Sequence, residues 1–141
     1  MIERDNELKV IREWVEKAEN DFANAVNTLK MGEKCPTDTV CFHAQQCVEK
    51  YLKGILVWNR TEFPKTHNIS ELAALIPKVA RPPLTNDEQD RLTEYATVMR
   101  YPGDYEAIPL SEARKAVSIG RRARKAARLI LPKEVLRWRR S

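Results

Sequence analysis

The stretch "CFHAQQCVEKYLKGIL", residues 41–56, decides the fold. On a wheel turning about 100° per residue, Val40, Cys41, Ala44, Cys47, Val48, Tyr51, Leu52 and Ile55 crowd one side and make a core face. Gln46, Glu49, Lys50 and Lys53 gather on the other, with His43 beside Lys50. That division predicts an amphipathic helix. The plain reading of its polar side is a solvated face, on which Glu49 and Lys53 form an i,i+4 pair worth about 0.2–0.5 kcal/mol. The other reading is a functional lane, since an amide, a carboxylate, two amines and an imidazole share one strip.

Outward from this helix, the same periodicity recurs. Leu8, Ile11, Val15, Ala18, Phe22, Val26 and Leu29 follow one another at steps of three and four, which predicts a first helix over roughly residues 5–30. "GEKCPTD" breaks it, and Thr37 or Asp38 is placed to cap the second helix, which runs to about Trp58. After "NRTEFPKTH", Asn68 and Glu71 read as a capping box for a short third helix ending around Pro77. "ARPPL" is a stiff linker, and Thr85 with Glu88 forms a second capping box. It opens a fourth helix through Leu92, Tyr95, Ala96 and Met99, which must end near Tyr101 because a proline follows. Ser111 is the expected cap of a fifth helix, with Ala113, Ala116, Gly120, Ala123, Ala127 and Ile130 as its inner face and Pro132 closing it. No alternating strand pattern occurs. The expected architecture is all-α, an up-and-down bundle of about five helices.

The 141 residues are most simply one domain, 1–141, with a basic tail from about residue 133. A composition 43% hydrophobic and 32% charged suits a soluble globular protein. No apolar run approaches the twenty or so residues of a membrane span, and "MIERDNELKV" lacks the features of a signal peptide, which points to the cytoplasm. Cys35, Cys41 and Cys47 are an odd number without a CxxC pair, and on one helix Cys41 and Cys47 lie too far apart to bridge. His43 and His67 are the only histidines, so no metal site is expected, and no cofactor.

Charge is unevenly placed. Residues 111–141 hold eleven Lys or Arg against Glu112 and Glu134, a net +9, so residues 1–110 carry −4 of the chain's +5. Within the fifth helix Arg114, Arg121, Lys125 and Arg128 share a ridge, flanked by Arg124. The plain reading is a solvated face. Yet like charges at i,i+4 repel, and a polyanion relieves that repulsion. With no aromatic residue on this helix, such contacts would go to phosphate and carry little sequence information. At the end of the fourth helix, Arg100 in "RYPGDY" sits at the edge of the face made by Leu92, Ala96 and Met99. It reads either as one half of an Arg100–Asp104 pair finishing a turn or as a phosphate-gripping guanidinium.

Together these segments resemble the HEPN family of small helical domains. The likeness starts at "WVEKAENDFANA" and continues through "AQQCVEKYLKGIL", "KTHNISELAALI", "RYPGDY" and "SEARKAVSIGRRA". It implies a bundle of about five helices that forms a homodimer, an association with nucleotides or RNA, and a nucleotidyltransferase protein partner in a two-component system of toxin–antitoxin type. Active HEPN ribonucleases carry an RxxxxH motif. Here the arginine is Arg100, but Tyr105 stands at the histidine's spacing and Tyr101 directly follows the arginine. A phenol with an ordinary pKa near 10 is a poor base at neutral pH, so the departure speaks against hydrolysis. The reading that follows is a nucleotide or RNA-backbone site made by Arg100, Asp104, Tyr105 and the lane Gln46, Lys50, Lys53 and His43, with no membrane partner. Two alternatives stand beside it: a metal-independent endoribonuclease in which Arg100 acts with Tyr105 or His43, and a pure protein-interaction module. His67, at the "TH" entrance to the third helix, is expected to cap or pack.

Overall fold

A computed structural model of the chain describes residues 2–97 and 107–137. Among the described residues there are five α-helices, α1 (Ile2–Leu29), α2 (Thr37–Trp58), α3 (Ile69–Ala74), α4 (Asn86–Thr97) and α5 (Leu110–Ile130), with short 3-10 turns in two connections and one after α5. No strand occurs among the described residues. α1 and α2 are antiparallel: Ile11 and Trp14 flank Gly54, Asp21 meets His43, and Ala25 shares a cluster with Val40 and Cys41. α4 is antiparallel to α5, with Glu88 on Arg122 at one end and Tyr95 on Glu112 at the other. α5 runs in the direction of α2, since Gly120 faces Ala44 and Arg128 reaches Tyr51. These four helices are the up-and-down core the periodicity predicts, and α3 is a short brace against α2 and α4.

The second helix is more enclosed than its wheel suggests. From Ala44 to Leu56 only Gln46 and Lys50 escape burial. The main apolar cluster joins Ile11, Val15 and Ala18 of α1 to Leu52, Ile55 and Leu56 of α2, with Leu72, Leu92 and Ala123 from the other helices. Each fully buried Leu or Ile there contributes about 1.5–3 kcal/mol. A second cluster at the other end packs Val40 and Cys41 against Ala113, Ala116 and Val117. All three cysteines are buried thiols outside any disulfide.

Helix ends follow local chemistry, with two departures from expectation. Neither Thr37 nor Asp38 caps α2: its N-cap is Pro36. The Thr37 hydroxyl instead donates to the Ile108 carbonyl at 2.6 Å, and Asp38 accepts from the neighbouring Thr39 N–H. The tertiary bond ties the start of α2 to the segment entering α5, and the cap is lost to it. Likewise Ser111 lies inside α5, whose N-cap is Pro109 with its fixed φ. The other caps form. Asn68 accepts from the Glu71 N–H, while Thr66 accepts from Asn68 N–H and donates to the Glu71 carboxylate, so this box closes through a third side chain. Thr85 and Glu88 make the reciprocal capping box at 2.9 and 3.1 Å. Between α1 and α2 the chain turns at Gly32, whose φ of 66° suits glycine.

α5 approaches α2 through small residues, Ala113, Ala116, Gly120, Ala123 and Ala127, all buried. A methyl added at Gly120 would lie 3.7 Å from the Ala44 carbonyl oxygen and 3.8 Å from its Cβ, which is ordinary contact. Gly120→Ala is therefore expected to raise unfolding stability by about 0.4–1 kcal/mol through helix propensity. Urea denaturation checks this, and a loss of stability would show that the α2–α5 approach has no slack.

Candidate functional site

The polar lane of α2 is not a solvated face. α1 divides it with two carboxylates, Glu19 and Asp21, which fall on opposite edges of the apolar stripe led by Ala18. Asp21, itself buried, takes two residues of the lane: His43 Nδ1 lies 2.8 Å from one carboxylate oxygen and Lys50 Nζ 2.5 Å from the other. A carboxylate partner at Nδ1 fixes the orientation of the His43 ring. The ring meets the exposed Phe42 edge-on, with centroids 5.4 Å apart.

The rest of the lane turns inward. Glu49 is 2% exposed and Lys53 8%. They form the expected i,i+4 pair at 3.0 Å, but under cover. The segment after α2 folds back over them, so that His67 Nδ1 approaches Glu49 at 2.9 Å, and Phe63 packs on the core. Gln45, fully buried, donates to Glu49 and passes a bond from Gln46 into the same layer. Lys53 also lies 5.4 Å from the Trp14 ring. His67 neither caps α3 nor packs in the core; its role is to share Glu49. Lys53, read from the sequence as part of the binding lane, has its charge met by Glu49 within the protein. Lys50 is largely committed as well, and Gln46 stays at the half-buried margin.

On the other edge, Glu19 gathers two hydrogen-bond donors and a further cation. Arg124 meets it with two nitrogens at 2.6 and 2.7 Å, the Tyr51 hydroxyl donates at 2.5 Å, and Arg128 stands 3.6 Å away. Burial pushes the Glu19 carboxyl up, but the hydrogen bonds from Arg124 and Tyr51 and the charges of Arg124 and Arg128 outweigh it and hold the group below its ordinary 4.5. Burial, then the bond to Glu19, raises the Tyr51 phenol. Cys47 of α2 is buried within reach of the charges of both acids, and its thiol is pushed up chiefly by burial.

This changes the basic ridge. Arg128 folds toward Glu19 and the Tyr51 hydroxyl, so the ridge does have a facing acid, contributed by α1. Arg114, Lys115, Arg121 and Lys125 remain exposed, and none has an acidic partner among the described residues. A groove of about 290 Å³ between α4 and α5 is lined by Arg91, Lys115, Ser118 and Arg122. Its arginines are paired: Arg122 bonds both oxygens of Glu88 at 2.8 and 2.7 Å, and Arg91 lies 3.4 Å from Glu112. The Arg122 bonds are the main cause that holds the Glu88 carboxyl at about 2. Arg100, Asp104 and Tyr105 lie outside the described residues. Among those described, no group of three or more His, Cys, Asp or Glu could hold a metal ion, and no helix is long and apolar enough to cross a membrane.

The family model of the HEPN domain matches residues 11–131, from the first core residue of α1 to the residue that ends α5. The chain belongs to the HEPN family. No curated protein and no solved structure gives a significant match. In this HEPN protein the matched region takes in α2 to α5, α1 from Ile11 onward, and with it Glu19 and Asp21.

Sequence reasoning found α2 but missed Glu19, Asp21 and Gln45. The available signal was the spacing Glu19-x-Asp21, which puts acids at both borders of an apolar stripe, where a neighbouring helix must meet them. Because Glu19 has a folded pKa below its unfolded value, its stabilisation is complete above about pH 4.5 and is lost as pH falls through the lower folded value. Glu88 acts with the same sign down to about 2. Glu19→Gln is expected to cost about 1.5–3 kcal/mol at neutral pH, toward the lower end because Arg124 is partly in water. It should also flatten the acid limb of stability against pH. Tyr51→Phe should cost less, about 0.5–1.5 kcal/mol. Equal costs, or an unchanged acid limb, would show that Glu19 does not organise this cluster.

Proposed function

We propose that this HEPN protein binds a nucleotide or an RNA backbone, as a homodimer in the cytoplasm, and acts with a separate nucleotidyltransferase protein in a two-component arrangement of toxin–antitoxin type. The observation that carries the binding reading is how the positive charge divides. Lys50, Lys53, Arg122, Arg124 and Arg128 face acids within the fold, while Arg114, Arg121 and Lys125 stand exposed on one face of α5 without them among the described residues. Unneutralised cations on one face are the electrostatic footprint of a polyanion partner. Family membership supports the same class of ligand. In this reading Arg100 grips phosphate with two parallel N–H bonds, Asp104 orients it, and Tyr105 stacks or donates a hydrogen bond. The lane of α2 supports the site from within, with Gln46 and Lys50 at its margin.

A second reading, a metal-independent endoribonuclease, draws on the pair His43–Asp21. A carboxylate-oriented imidazole is a competent proton carrier near neutral pH, and Tyr105 is not. The two readings separate by mutation. Arg100→Ala should weaken nucleotide or RNA binding by about 1.5–3 kcal/mol, as for a charged hydrogen bond, and Tyr105→Phe should leave it largely intact. Purified wild-type protein should cleave RNA negligibly, and Tyr105→His should raise cleavage. Cleavage that survives purification and disappears in both Arg100→Ala and His43→Gln would make the endoribonuclease the function. For the quaternary state, sedimentation equilibrium should report a dimer at micromolar concentration, and a strict monomer would remove any site shared across a two-fold axis.

A further inference from the structure

α1 carries no acidic side chain between Asp21 and Glu33. Along that stretch Phe22, Val26 and Lys30 succeed one another at one-turn steps, and Val26 packs into the cluster of Ala113, Ala116 and Val117, so this edge of α1 is the one turned to α5. Across the seam α5 shows Arg114, Arg121 and Lys125. The Phe22 ring carries two guanidiniums, Arg124 at 5.0 Å and Arg121 at 5.5 Å from its centroid. The charge of Arg124 is met by Glu19, whereas Arg121 has no acidic partner among the described residues. A ring beside a guanidinium restricts its plane and leaves N–H edges for an oxygen acceptor. Among the described residues Lys30 reaches only the Asn27 amide, at 3.4 Å.

We propose that the α1–α5 seam is the surface on which an RNA strand lies, with Arg121, held on Phe22, as its fixed point and Arg114, Lys125 and Lys30 as the charges around it. This rests on the nucleotide-or-RNA reading above and deepens it by naming the surface. By helical rise, Lys125 stands about 6 Å along the axis from Arg121, and Arg114 about 10.5 Å in the other direction. A stacked strand offers a charge about every 3.4 Å, so these cations meet every second or third phosphate. Phe22 is occupied by arginines, and among the described residues the seam shows no other exposed ring for bases, so binding is insensitive to sequence. Phe22 is a positioning residue here, since it acts through Arg121.

Fluorescence anisotropy with a labelled oligouridine, repeated over a series of potassium chloride concentrations, tests the surface. Arg114→Gln, Lys125→Gln and Lys30→Gln should each flatten the log–log salt slope by about 0.7, the value for one single-strand phosphate contact. Arg121→Lys and Phe22→Leu keep the charge, so they should leave the slope unchanged and weaken binding about two- to fivefold at every salt concentration. Arg121→Lys is a surface change and keeps the test valid if Phe22→Leu disturbs the core. Unchanged slopes in the glutamine variants of a protein that does bind would overturn the seam and leave the RNA reading standing. A wild-type protein that fails to bind even at low salt would overturn both. Competition by oligoglutamate equal to that of oligouridine, charge for charge, would overturn the phosphate assignment and give the seam to an acidic protein.

Discussion

α2 is enclosed along most of its length and yet carries Gln45, Glu49, Lys50 and Lys53, so each of these polar groups must be met from a neighbouring element. Removing one partner of a buried charge costs far more than the pair itself contributes, which makes the pairing a constraint on how the helices sit. Asp21 answers His43 and Lys50, Glu49 answers Lys53 and His67, and Glu19 answers Tyr51 and Arg124. Among the described residues no buried side-chain nitrogen or oxygen is left without a partner. A one-turn slip of α1 along α2 would move Asp21 about 5.4 Å from its partners and strand three charged or polar groups in low dielectric. Apolar packing between the same helices tolerates such a slip more readily, because Ile, Val and Ala face Leu, Ile and Val on either side of it. The charges therefore set the register that the apolar stripe leaves loosely defined.

The same pairing separates structural cations from available ones. A lysine or arginine that faces a carboxylate inside the fold contributes little field outside it, while an exposed, unpaired one projects its charge into solvent. Arg124 and Arg128 are drawn to Glu19 because they emerge from α5 at the border of its buried face. Arg114, Arg121 and Lys125 emerge further round and stay outside. One helix thus clamps the bundle with one edge and presents positive charge with the next. The acid-free end of α1 extends that positive region across the seam, and Phe22 links the two roles by holding a paired and an unpaired arginine on one ring.

What the sequence determined by itself was everything carried by local periodicity and short-range chemistry. The steps of three and four in α1, α2 and α5, the capping box at Thr85, the cap at Asn68 and the glycine turn after α1 depend on residues within a turn or two of one another. They appear in the structure much as the spacing implies, and the ordered segments sufficed for the resemblance to HEPN domains that the family match bears out. Tertiary structure alone decided the fate of the polar lane. A wheel records which side of a helix is polar, but not whether that side meets water, an acid on α1 or a loop folded back from residue 67. Glu49 and Lys53 are ordinary surface residues by pattern and become buried because His67 returns onto Glu49 and Trp14 of α1 lies beside Lys53. Thr37 is an ordinary cap by pattern and becomes a tertiary donor because Ile108 arrives within 2.6 Å. Arg128 belongs to a ridge by pattern and leaves it because Glu19, more than a hundred residues away in sequence, is three to four ångströms away in space. Periodicity is a property of one helix, whereas burial and charge pairing are properties of two, and the second helix is set only by the fold.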